Sequence, residues 1–435
     1  MKILFISDNF PPEVNAPATR GYEHIQEWIK DDSVEVTVLT CVPNFPHGKV
    51  YKGYKNRFYQ KEEINGIKVI RVWSYMTLNS GFIKRIVDYT SFSMMAFLIG
   101  LFQKTDIIVA TSPQFFTTWT AWGLHKIKRK PWIFELRDIW PESIQSVGAI
   151  KHKKILDILE KIELGLYRSS SKVIVVTESF KSNLIGRGID ANKIEIVTNG
   201  SNIELFSPKE KDEKLLKSLD LEGKFIIGYI GTHGMAHSLD FVVKSISKID
   251  DTSIHFLFIG NGAMKERVVQ LAKELSLENI TFLDSIPKEL VPKYLSIIDV
   301  SLAPLKKSDT FKSVIPSKIF EASAMQKPTL LGVEGESEKI IKKYNAGLCY
   351  EPENEKDFIS KICILKNNRE LYQSMEKDCL SLASNYDRKR LARKMLNIIK
   401  GIAFKNIQTV KSQIAKKFFG YTSNIITYRD WKEER

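Results

Sequence analysis

The sequence has few of the features that mark redox, metal-binding or membrane-spanning proteins. Its four cysteines (Cys41, Cys349, Cys363 and Cys379) lie far apart and form no C-x-x-C pair, which argues against a zinc site or a disulfide framework and fits a reducing compartment. The longest uncharged run, Tyr89 to Gln103, has 15 residues, whereas a transmembrane helix needs roughly 20. The N-terminus enters a predicted strand without a signal-peptide pattern, so export is not expected.

No G-x-G-x-x-G motif follows the first predicted strand, which disfavours a dinucleotide cofactor at that point. The chain is nevertheless large, with 435 residues of which 43% are hydrophobic, so two or three domains with substantial cores are expected. Its formal charge of +14 suits an anionic partner. A nucleic acid, an acidic lipid surface and a phosphorylated substrate all fit, and charge alone does not choose among them.

Short apolar strands alternate with helical stretches, which predicts an α/β fold with mostly parallel sheets. Two such sets occur in series, and residues 206–223 between them are polar and charged, as is typical of a linker. We predict an N-terminal domain at 1–205, a second domain at 206–384, and C-terminal helices with a basic tail at 385–435 that pack back on the first domain. If the carboxyl edges of the two sheets face each other, the ligand site is the cleft between them.

One helix and the C-terminal tail place apolar residues beside basic ones. Phe82–Gln103 is predicted to be helical, with Lys84 and Arg85 near its start. Such a helix either rests on a membrane surface or is an ordinary buried helix, and both interpretations stay open. The tail is predicted to be helical to about Lys417 and to dock on the first domain or on lipid through an apolar stripe of Phe404, Ile407, Val410, Ile414 and Phe418.

The stretch Ser313–Gly335 is a candidate anion site. Pro316 and Ser317 end a strand and its loop, and the following residues have helix-forming composition, so Ser317 is predicted to be an N-cap. Amides at a helix start bind phosphate, and Glu321 lies one turn later, about 6 Å along the axis, where it can accept hydrogen bonds from a ribose. An ordinary helix with a surface glutamate would show the same pattern.

Several segments together resemble the retaining, GT-B fold glycosyltransferases of family 4. They are FISDNFPPE, ATSPQFF, FELRDIWPES, VVTESF, VTNGSNIELF, IGYIGTHGMAHSLD, FIGNGAMKE and VIPSKIFEASAMQKP, and they span roughly residues 1 to 400. The resemblance is nearest to the subgroup that builds bacterial O-antigen, capsule and colanic-acid repeats, including the L-N-acetylfucosaminyl transferases. It implies two Rossmann-like domains facing across a deep cleft, with the donor nucleotide-sugar on the second and the acceptor on the first.

The resemblance also implies which residues bind the donor. The second Glu of the family's E-x7-E motif falls on Glu321, but the first falls on Ser313, which has no carboxylate. The Arg and Lys that many members place on the diphosphate fall on Thr232 and His237. The candidates that replace this charge are Lys306, Lys307 and Lys318. The predicted donor site comprises Gly231, Thr232, His233, Gly234, His237, Gly260, Lys306, Ser317, Lys318, Ile319 and Glu321.

In the first domain, Arg137 stands where the family has its active-site His, and Asp138 follows it. We predict that both are catalytic: Asp138 accepts or orients the proton of an acceptor hydroxyl, and Arg137 anchors a phosphate or pairs with a carboxylate. A structural Arg–Asp pair at a strand end is the alternative. The predicted acceptor contacts are Asn9, Pro12, Glu13, Asn15 and Glu178.

The resulting prediction is a retaining glycosyltransferase that moves a sugar such as L-N-acetylfucosamine from a UDP-sugar to a polyprenyl-diphosphate-linked acceptor in O-antigen, capsule or lipopolysaccharide biosynthesis. Because the chain has no D-x-D triplet, we predict that it needs no metal, and no cofactor besides the UDP-sugar co-substrate. The expected location is the cytoplasm, with peripheral association with the inner leaflet of the inner membrane.

Two other functions fit parts of the sequence. A sugar-nucleotide 2-epimerase shares the two-domain architecture, but the acid and base carboxylates that it needs on opposite sides of the sugar are not evident. A nucleic-acid-binding protein is favoured only by the net charge, since the basic residues are widely spread and the aromatic residues form no recognised RNA-binding pattern. Nucleic acid is therefore not among the expected partners.

Overall fold

A computed structural model describes residues 1–419 except for residues 14, 46–47, 78–81, 113–114 and 140–152. Within these residues the chain forms two α/β domains, each built on its own sheet. Both sheets are parallel apart from one edge strand of the first. The predicted α/β class with two parallel sheets in series is confirmed.

The first sheet has eight strands in the described residues, in the spatial order β3-β4-β2-β1-β5-β6-β7-β8. They are β1 (Lys2–Ile6), β2 (Glu35–Cys41), β3 (Tyr59–Ile64), β4 (Ile67–Val72), β5 (Ile107–Thr111), β6 (Trp132–Leu136), β7 (Lys172–Val175) and β8 (Ile194–Ile196). The edge strand β3 is antiparallel to β4 through the predicted Asn65-Gly66 turn. Both turn residues have positive φ, 47° and 82°, as a two-residue hairpin turn of this kind requires.

Helices cover both faces of the first sheet. They are α1 (Ala16–Trp28), α2 (Phe82–Leu101), α3 (Phe115–Lys128), α4 (Lys153–Ser169) and α5 (Glu178–Gly186). α2 and α3 pack on one face, where Phe92 and Leu124 join strand residues such as Phe134 in one apolar core. Because successive residues of a strand point to opposite faces, the alternate strand residues form a second core with α1.

The second sheet has six described strands in the order β11-β10-β9-β12-β13-β14. They are β9 (Phe225–Ile230), β10 (Ile254–Ile259), β11 (Ile280–Leu283), β12 (Val300–Pro304), β13 (Thr329–Gly332) and β14 (Gly347–Cys349). The helices of this domain are α6 (Glu213–Ser218), α7 (Leu239–Ile246), α8 (Lys265–Glu274), α9 (Val291–Ile297), α10 (Lys318–Ala324), α11 (Glu336–Tyr344), α12 (Glu355–Asn367) and α13 (Arg369–Asn385).

The prediction that residues 206–223 form a linker is wrong. Phe206, Leu215, Leu216 and Leu221 are buried in a core of the second domain, together with residues of β9 and β10. The charged residues that separate them lie on the outer side of the short helix α6, so the composition of the segment hides an amphipathic pattern.

The last helix, α14 (Arg388–Phe419), returns to the first domain. Leu391, Met395 and Ile399 are buried in the core that α1 shares with the first sheet, and the indole nitrogen of Trp28 donates to the carbonyl of Ala392 at 2.8 Å. Of the predicted stripe on the tail, the side chains of Ile407, Val410, Ile414 and Phe418 lie outside what the structure describes. Among the described helices, none combines the length and the apolarity that crossing a bilayer requires.

The chain passes between the domains at two places that lie side by side. Ser201, on the first passage, pairs as a parallel bridge with Asp387 on the second. The amide of Ser201 donates to Tyr386 at 3.1 Å, and the amide of Arg388 donates back to Ser201 at 2.9 Å. A Cβ at Gly200 would lie 2.0 Å from the carbonyl oxygen of Tyr386, so only glycine permits this close approach. The two crossing segments therefore form one hydrogen-bonded pair.

Candidate active site between the two sheets

The carboxyl edges of the two sheets face each other, and direct contacts join them. Ser179, at the start of α5, donates to Glu336 of α11 at 2.6 Å. Lys288, before α9, pairs with Glu23 of α1 at 3.3 Å. The hydroxyl of Ser201 donates to the carbonyl of Phe320 in α10 at 3.1 Å. Most of the predicted donor residues lie on the second-domain side of this boundary and most of the predicted acceptor residues on the first.

Two glycine turns form the floor of the second-domain side. Gly231 follows β9 with a φ of 151°, and Gly260 follows β10 with a φ of 148°. A Cβ at Gly260 would lie 1.9 Å from the carbonyl oxygen of Gly231, so the two turns touch and no side chain fits between them. The amide of His233 donates to Asn261 at 2.9 Å and ties the turns together. Glycines in this arrangement let a ligand approach the backbone closely.

Lys318, at the start of α10, places a buried amine above this floor. Its Nζ lies 3.6 Å from the centre of the Tyr229 ring and has no hydrogen-bond partner among the described residues. Burial lowers the pKa of Lys318 to about 7, with Glu321 opposing the shift. An amine held on an aromatic face without a counter-ion is a site for an anion. Of the three lysines that the sequence offers, this is the one at the glycine turns.

The other two lysines lie elsewhere. Lys306 follows β12 with its side chain exposed, and its amide donates to Ala236 at 2.9 Å. Lys307 is exposed and pairs with Glu351 at 2.6 Å. A long exposed lysine can still reach a ligand, so a donor contact by Lys306 stays a prediction.

His233 and His237 flank the same ring of Tyr229, with ring centres 5.5 Å and 6.0 Å from it. Burial lowers the pKa of both imidazoles to about 4, and Lys318 adds to the shift in each case. Both rings are therefore neutral at pH 7. Gly260 lies beside Nδ1 of His233, yet neither ring nitrogen of His233 has a hydrogen-bond partner in the described part of the chain. Neutral imidazole nitrogens can donate to or accept from a ligand here.

Ser317 is not the capping residue that the sequence predicts. It has φ −60° and ψ −26°, so it is already helical, and its side chain makes no capping hydrogen bond. A capping side chain needs an extended backbone at that position. The amides of Ile319 and Phe320 bond to Pro316 and Ser317 at 3.3 Å and 3.1 Å. The amides of Ser317 and Lys318 remain without a partner among the residues that the structure describes.

The side chain of Ile319 is buried in a core with Leu305 and Phe320, and its amide donates to the carbonyl of Pro316 at 3.3 Å. A donor contact by Ile319 stays a prediction. Thr232, by contrast, is exposed beside Gly231, and Gly234 follows in the same turn.

Glu321 lies one turn after Ser317, as the sequence predicts, and faces the first domain. Burial raises the pKa of its carboxyl group, while Lys288 and Arg388 oppose the shift and Glu23 adds to it. The carboxyl group forms no hydrogen bond or ion pair with the described residues, although these charges surround it. It is therefore available to accept hydrogen bonds from ligand hydroxyls.

On the first-domain side, Arg137 and Asp138 follow β6. Burial lowers the pKa of Arg137 to about 10; Arg20 adds to the shift, and Glu135 and Asp138 oppose it. Burial raises the pKa of Asp138, and Arg137 opposes that shift. The side chain of Asp138 is exposed to solvent. Residues 140–143 of the RDIWPES motif lie outside the described residues.

Three of the predicted acceptor residues organise the loop after β1. The buried carboxylate of Glu13 accepts from Asn9 at 3.2 Å and from the amides of Phe10, Asn44 and Phe45 at 3.3, 2.9 and 2.8 Å. Asn15 accepts from the amide of Ala18 at 2.9 Å and caps α1. These bonds hold the loop in place at the cleft. They also occupy the carboxylate oxygens of Glu13 as hydrogen-bond acceptors. Pro12 and Glu178 are exposed, and acceptor contact by this group stays a prediction.

The sequence did not reveal a charged layer on α1 that reaches the cleft. Arg20 pairs with buried Glu135 at 2.9 Å and donates to the carbonyls of Val197 and Thr198. Glu23 accepts from Arg388 of α14 as well as from Lys288. The spacing of Arg20, Glu23, His24 and Glu27 along one helical face was the available signal. The partners of Arg20 and Glu23 lie 115 to 365 positions away, so no local pattern identifies them.

Comparison with known proteins places two domain families on the chain. Residues 18–200 match the family described as glycosyl transferase 4-like domain, and residues 210–379 match the family described as glycosyl transferases group 1. A protein of Escherichia coli (strain K12), WcaI, which is named for glycosyl transfer in colanic acid biosynthesis, is 24% identical over 417 residues, covering 92% of this chain and all of that protein.

Solved structures show the same two-domain fold. Sucrose-phosphate synthase from Thermosynechococcus elongatus has a TM-score of 0.74 at 15% identity, over 92% of this chain and 98% of that one. HepE of Anabaena, solved in complex with UDP and glucose, has a TM-score of 0.68 at 15% identity, over 92% of this chain and 100% of that one. At these identities the likeness shows the fold alone.

Proposed function

Since the chain consists of a glycosyl transferase 4-like domain followed by a group 1 glycosyl transferase domain, we propose that it is a retaining glycosyltransferase of bacterial surface polysaccharide biosynthesis. The donor is a UDP-sugar and the acceptor is a saccharide on a polyprenyl diphosphate. Similarity over the whole length of WcaI, a protein named for colanic acid biosynthesis, supports this pathway class. The resemblance of PSKIFEA and RDIWPES to the fucosaminyl subgroup supports an N-acetylated deoxy sugar such as L-N-acetylfucosamine.

The observation that carries the proposal is the buried, unpartnered amine of Lys318 above two touching glycine turns, with Glu321 one turn later. A diphosphate supplies the anion that the amine lacks, and the amides of Ser317 and Lys318 are in place to bond it. Glu321 then accepts from the ribose hydroxyls. The complex of HepE with UDP and glucose, a protein of the same fold, supports a nucleotide donor.

The same groups suit the chemistry of transfer. As the bond to the anomeric carbon breaks, negative charge grows on the leaving diphosphate, and a protonated Lys318 with backbone amides stabilises it. In a retaining reaction the leaving phosphate takes the acceptor proton on the same face, so no strong protein base is needed, and Asp138 orients the acceptor hydroxyl. Because Lys318 supplies the positive charge, we include metal independence in the proposal.

An exposed apolar surface on the first domain supports a lipid-linked acceptor. Helices α2 and α3 pack together through Ser93 and Thr120, and both expose large apolar residues to solvent. Met94 is 62% exposed and Phe102 is 82% exposed. The outer surface comprises Met94, Leu98, Phe102, Trp119 and Trp122, with Lys84 and Arg85 at the start of α2. Tryptophan and basic residues around an apolar face suit the headgroup region of an anionic membrane.

The test is a transfer assay with purified protein, a panel of UDP-sugars that includes UDP-L-N-acetylfucosamine, and a synthetic diphosphate-linked acceptor. We expect release of UDP together with an acceptor lengthened by one sugar, detected by mass spectrometry. Glu321→Ala should raise the donor Kd about tenfold to hundredfold, as expected for loss of a hydrogen bond to a charged group. The matched control is Glu266→Ala on the exposed side of α8. An epimerised UDP-sugar formed without acceptor would overturn the proposal.

A further inference from the structure

Lys318 holds its amine in the opposite way from an ordinary surface lysine. Part of the residue is exposed, yet its Nζ atom is buried and has no hydrogen-bond partner among the described residues. Lysine side chains usually bury the methylene stem and keep the charged end in water. Because taking an amine out of water is costly, another interaction must hold this one in place.

The interaction that the structure shows is with the ring of Tyr229 in β9. The Nζ atom of Lys318 lies 3.6 Å from the centre of that ring, well inside the distance at which an aromatic face attracts a cation. A Cβ at Gly231 would lie 3.2 Å from the same Nζ, so the amine contacts both the ring and the glycine turn. Tyr229 therefore places the amine beside the backbone of the proposed donor site.

The ring of Tyr229 is itself held from several directions. It is fully buried, and the ring of Phe258 packs against it with the centres 5.5 Å apart. The rings of His233 and His237 meet it edge-to-face. Its hydroxyl donates to the carbonyl of Thr232 at 2.6 Å, and burial raises the pKa of Tyr229, so the hydroxyl stays a donor at neutral pH. A ring fixed in this way gives the amine a defined position.

An aromatic face holds a cation without neutralising it. A carboxylate bonded to the amine would cancel its charge and compete with a ligand, whereas a ring carries no net charge. Glu321 acts on the amine of Lys318 electrostatically, but the two side chains form no ion pair in the structure. The whole charge of the protonated amine is therefore available to an anionic ligand.

We propose that Tyr229 is a positioning residue for the donor: its ring face holds the amine of Lys318 toward the ligand, and its hydroxyl fixes the turn at Gly231 and Thr232. This inference rests on the proposed function, because the ligand is the donor diphosphate assigned to Lys318. The alternative is that Tyr229 is an ordinary core residue. Core packing depends on the size of the ring, whereas attraction of a cation depends on the electrons of its face.

Other titratable side chains belong to the same cluster. Burial lowers the pKa of His233 and His237 to about 4, so both rings stay neutral above pH 6. Lys265, which adds to the shift of His233, donates to two backbone carbonyls of the neighbouring turns. Glu321 is the remaining group. Lys318→Met isolates its contribution, because any pH dependence of donor affinity left in that variant belongs to the carboxyl group.

The test replaces Tyr229 in the full chain with phenylalanine and, in a second variant, with trifluorophenylalanine. The two rings are similar in size, but fluorine withdraws electrons from the ring face and weakens its attraction for a cation. Because the ring stabilises the protonated amine, fluorination should lower the pKa of Lys318 in the free protein. NMR titration of lysine-labelled protein measures this pKa, and Lys318→Met assigns the signal.

Donor affinity should follow the same order and depend on pH. At pH 8 the amine must be protonated on binding, so the association constant for UDP-glucose should be about threefold to tenfold lower with the fluorinated ring than with phenylalanine. At pH 6 the amine is already mostly protonated, and the difference should stay below about twofold. Tyr229→Phe should keep the proton uptake of the wild type, because it keeps the ring. Trifluorophenylalanine in place of Phe258 is the matched control and should change neither the pKa nor the affinity.

Three outcomes would overturn the inference. Equal pKa values of Lys318 with the two rings would show that Tyr229 only fills space. Loss of the proton uptake in Tyr229→Phe would assign the effect to the hydroxyl, and an equal loss of affinity at pH 6 and pH 8 would indicate a packing defect. If UDP-glucose binds but the pKa does not respond to fluorination, the inference fails and the proposed function stands. If the pKa responds but UDP-glucose does not bind, the proposed function fails and the contact between ring and amine stands.

Discussion

Replacing Lys318 with methionine removes the buried amine from the proposed donor site while keeping about the same length of side chain. In the free protein this amine has a pKa of about 7 because it is buried on the Tyr229 ring without a bonded counter-ion. A diphosphate beside it restores the charged form and raises the pKa. Binding of a UDP-sugar should therefore take up a proton from solution.

The size of this uptake follows from the pKa of the free protein. With a pKa near 7 the amine is about half neutral at pH 7 and about nine-tenths neutral at pH 8. Binding should therefore take up about 0.5 proton per protein molecule at pH 7 and about 0.9 at pH 8. Because the bound form is the protonated one, affinity is highest below pH 7 and falls as the pH rises. Between pH 7.5 and 8.5 the association constant should fall about eightfold, provided that the bound pKa exceeds 9.

Calorimetry in two buffers with different ionisation enthalpies measures the proton uptake directly. UDP-glucose is a better probe than UDP, because the terminal phosphate of UDP itself titrates near pH 6. At pH 7 to 8.5 the neutral rings of His233 and His237, whose pKa values are about 4, should contribute little. Lys273→Met, at an exposed lysine of α8, is the matched control and should keep the full uptake.

Stability should change in the opposite direction from binding. The pKa of Lys318 is lower in the folded than in the unfolded chain, so the unfolded chain binds more protons between about pH 7 and 10 and the wild type gains stability as the pH rises through that window. Lys318→Met has no buried amine to desolvate, so its Tm at pH 7 should be higher than that of the wild type. If the variant binds UDP-glucose with wild-type affinity, or shows the same proton uptake, Lys318 does not hold the diphosphate.

Three further perturbations test other parts of the structure. Gly260→Ala should lower the Tm and abolish donor binding, because its Cβ would lie 1.9 Å from a backbone oxygen at a φ of 148°; a normal melting curve would contradict the contact between the two turns. Arg20→Gln should reduce the free energy of unfolding in urea by about 3 to 5 kcal/mol, because buried Glu135 loses its partner, and a change below about 1 kcal/mol would show that solvent reaches the pair. Replacing Lys84 and Arg85 together with Gln should weaken sedimentation with anionic vesicles but not with neutral ones, and unchanged sedimentation would remove α2 from the membrane surface.

Local sequence patterns predict the framework of this molecule well. Apolar strands such as Ile254–Ile259 and Trp132–Leu136 are buried on both faces, so they appear as continuous hydrophobic runs whatever surrounds them. The Asn65-Gly66 turn follows from backbone sterics alone. The sequence correctly predicts that Glu321 lies one helical turn after Ser317, because the geometry of the helix fixes the distance between them.

The features that the sequence does not predict depend on contacts between distant segments. Ser317 has the right residue type for a cap, but the turn before it brings its backbone into the helical region, so its side chain does not cap. The ion pair of Glu23 with Arg388 joins residues 365 positions apart. The ring that lies against the amine of Lys318 belongs to Tyr229 in β9, about 90 positions earlier in the chain. None of these can be seen in a window of neighbouring residues.

The return of α14 to the first domain has a consequence for engineering. Because Leu391, Met395 and Ile399 complete the core of the first sheet, a chimera that replaces everything after residue 200 would import a foreign helix into the first domain. The exchangeable module is instead the insert between the two crossing segments, with both junctions at the Ser201–Asp387 bridge. A graft with those junctions keeps Leu391, Met395 and Ile399 with their native packing partners and leaves the seam between modules as two adjacent, hydrogen-bonded segments.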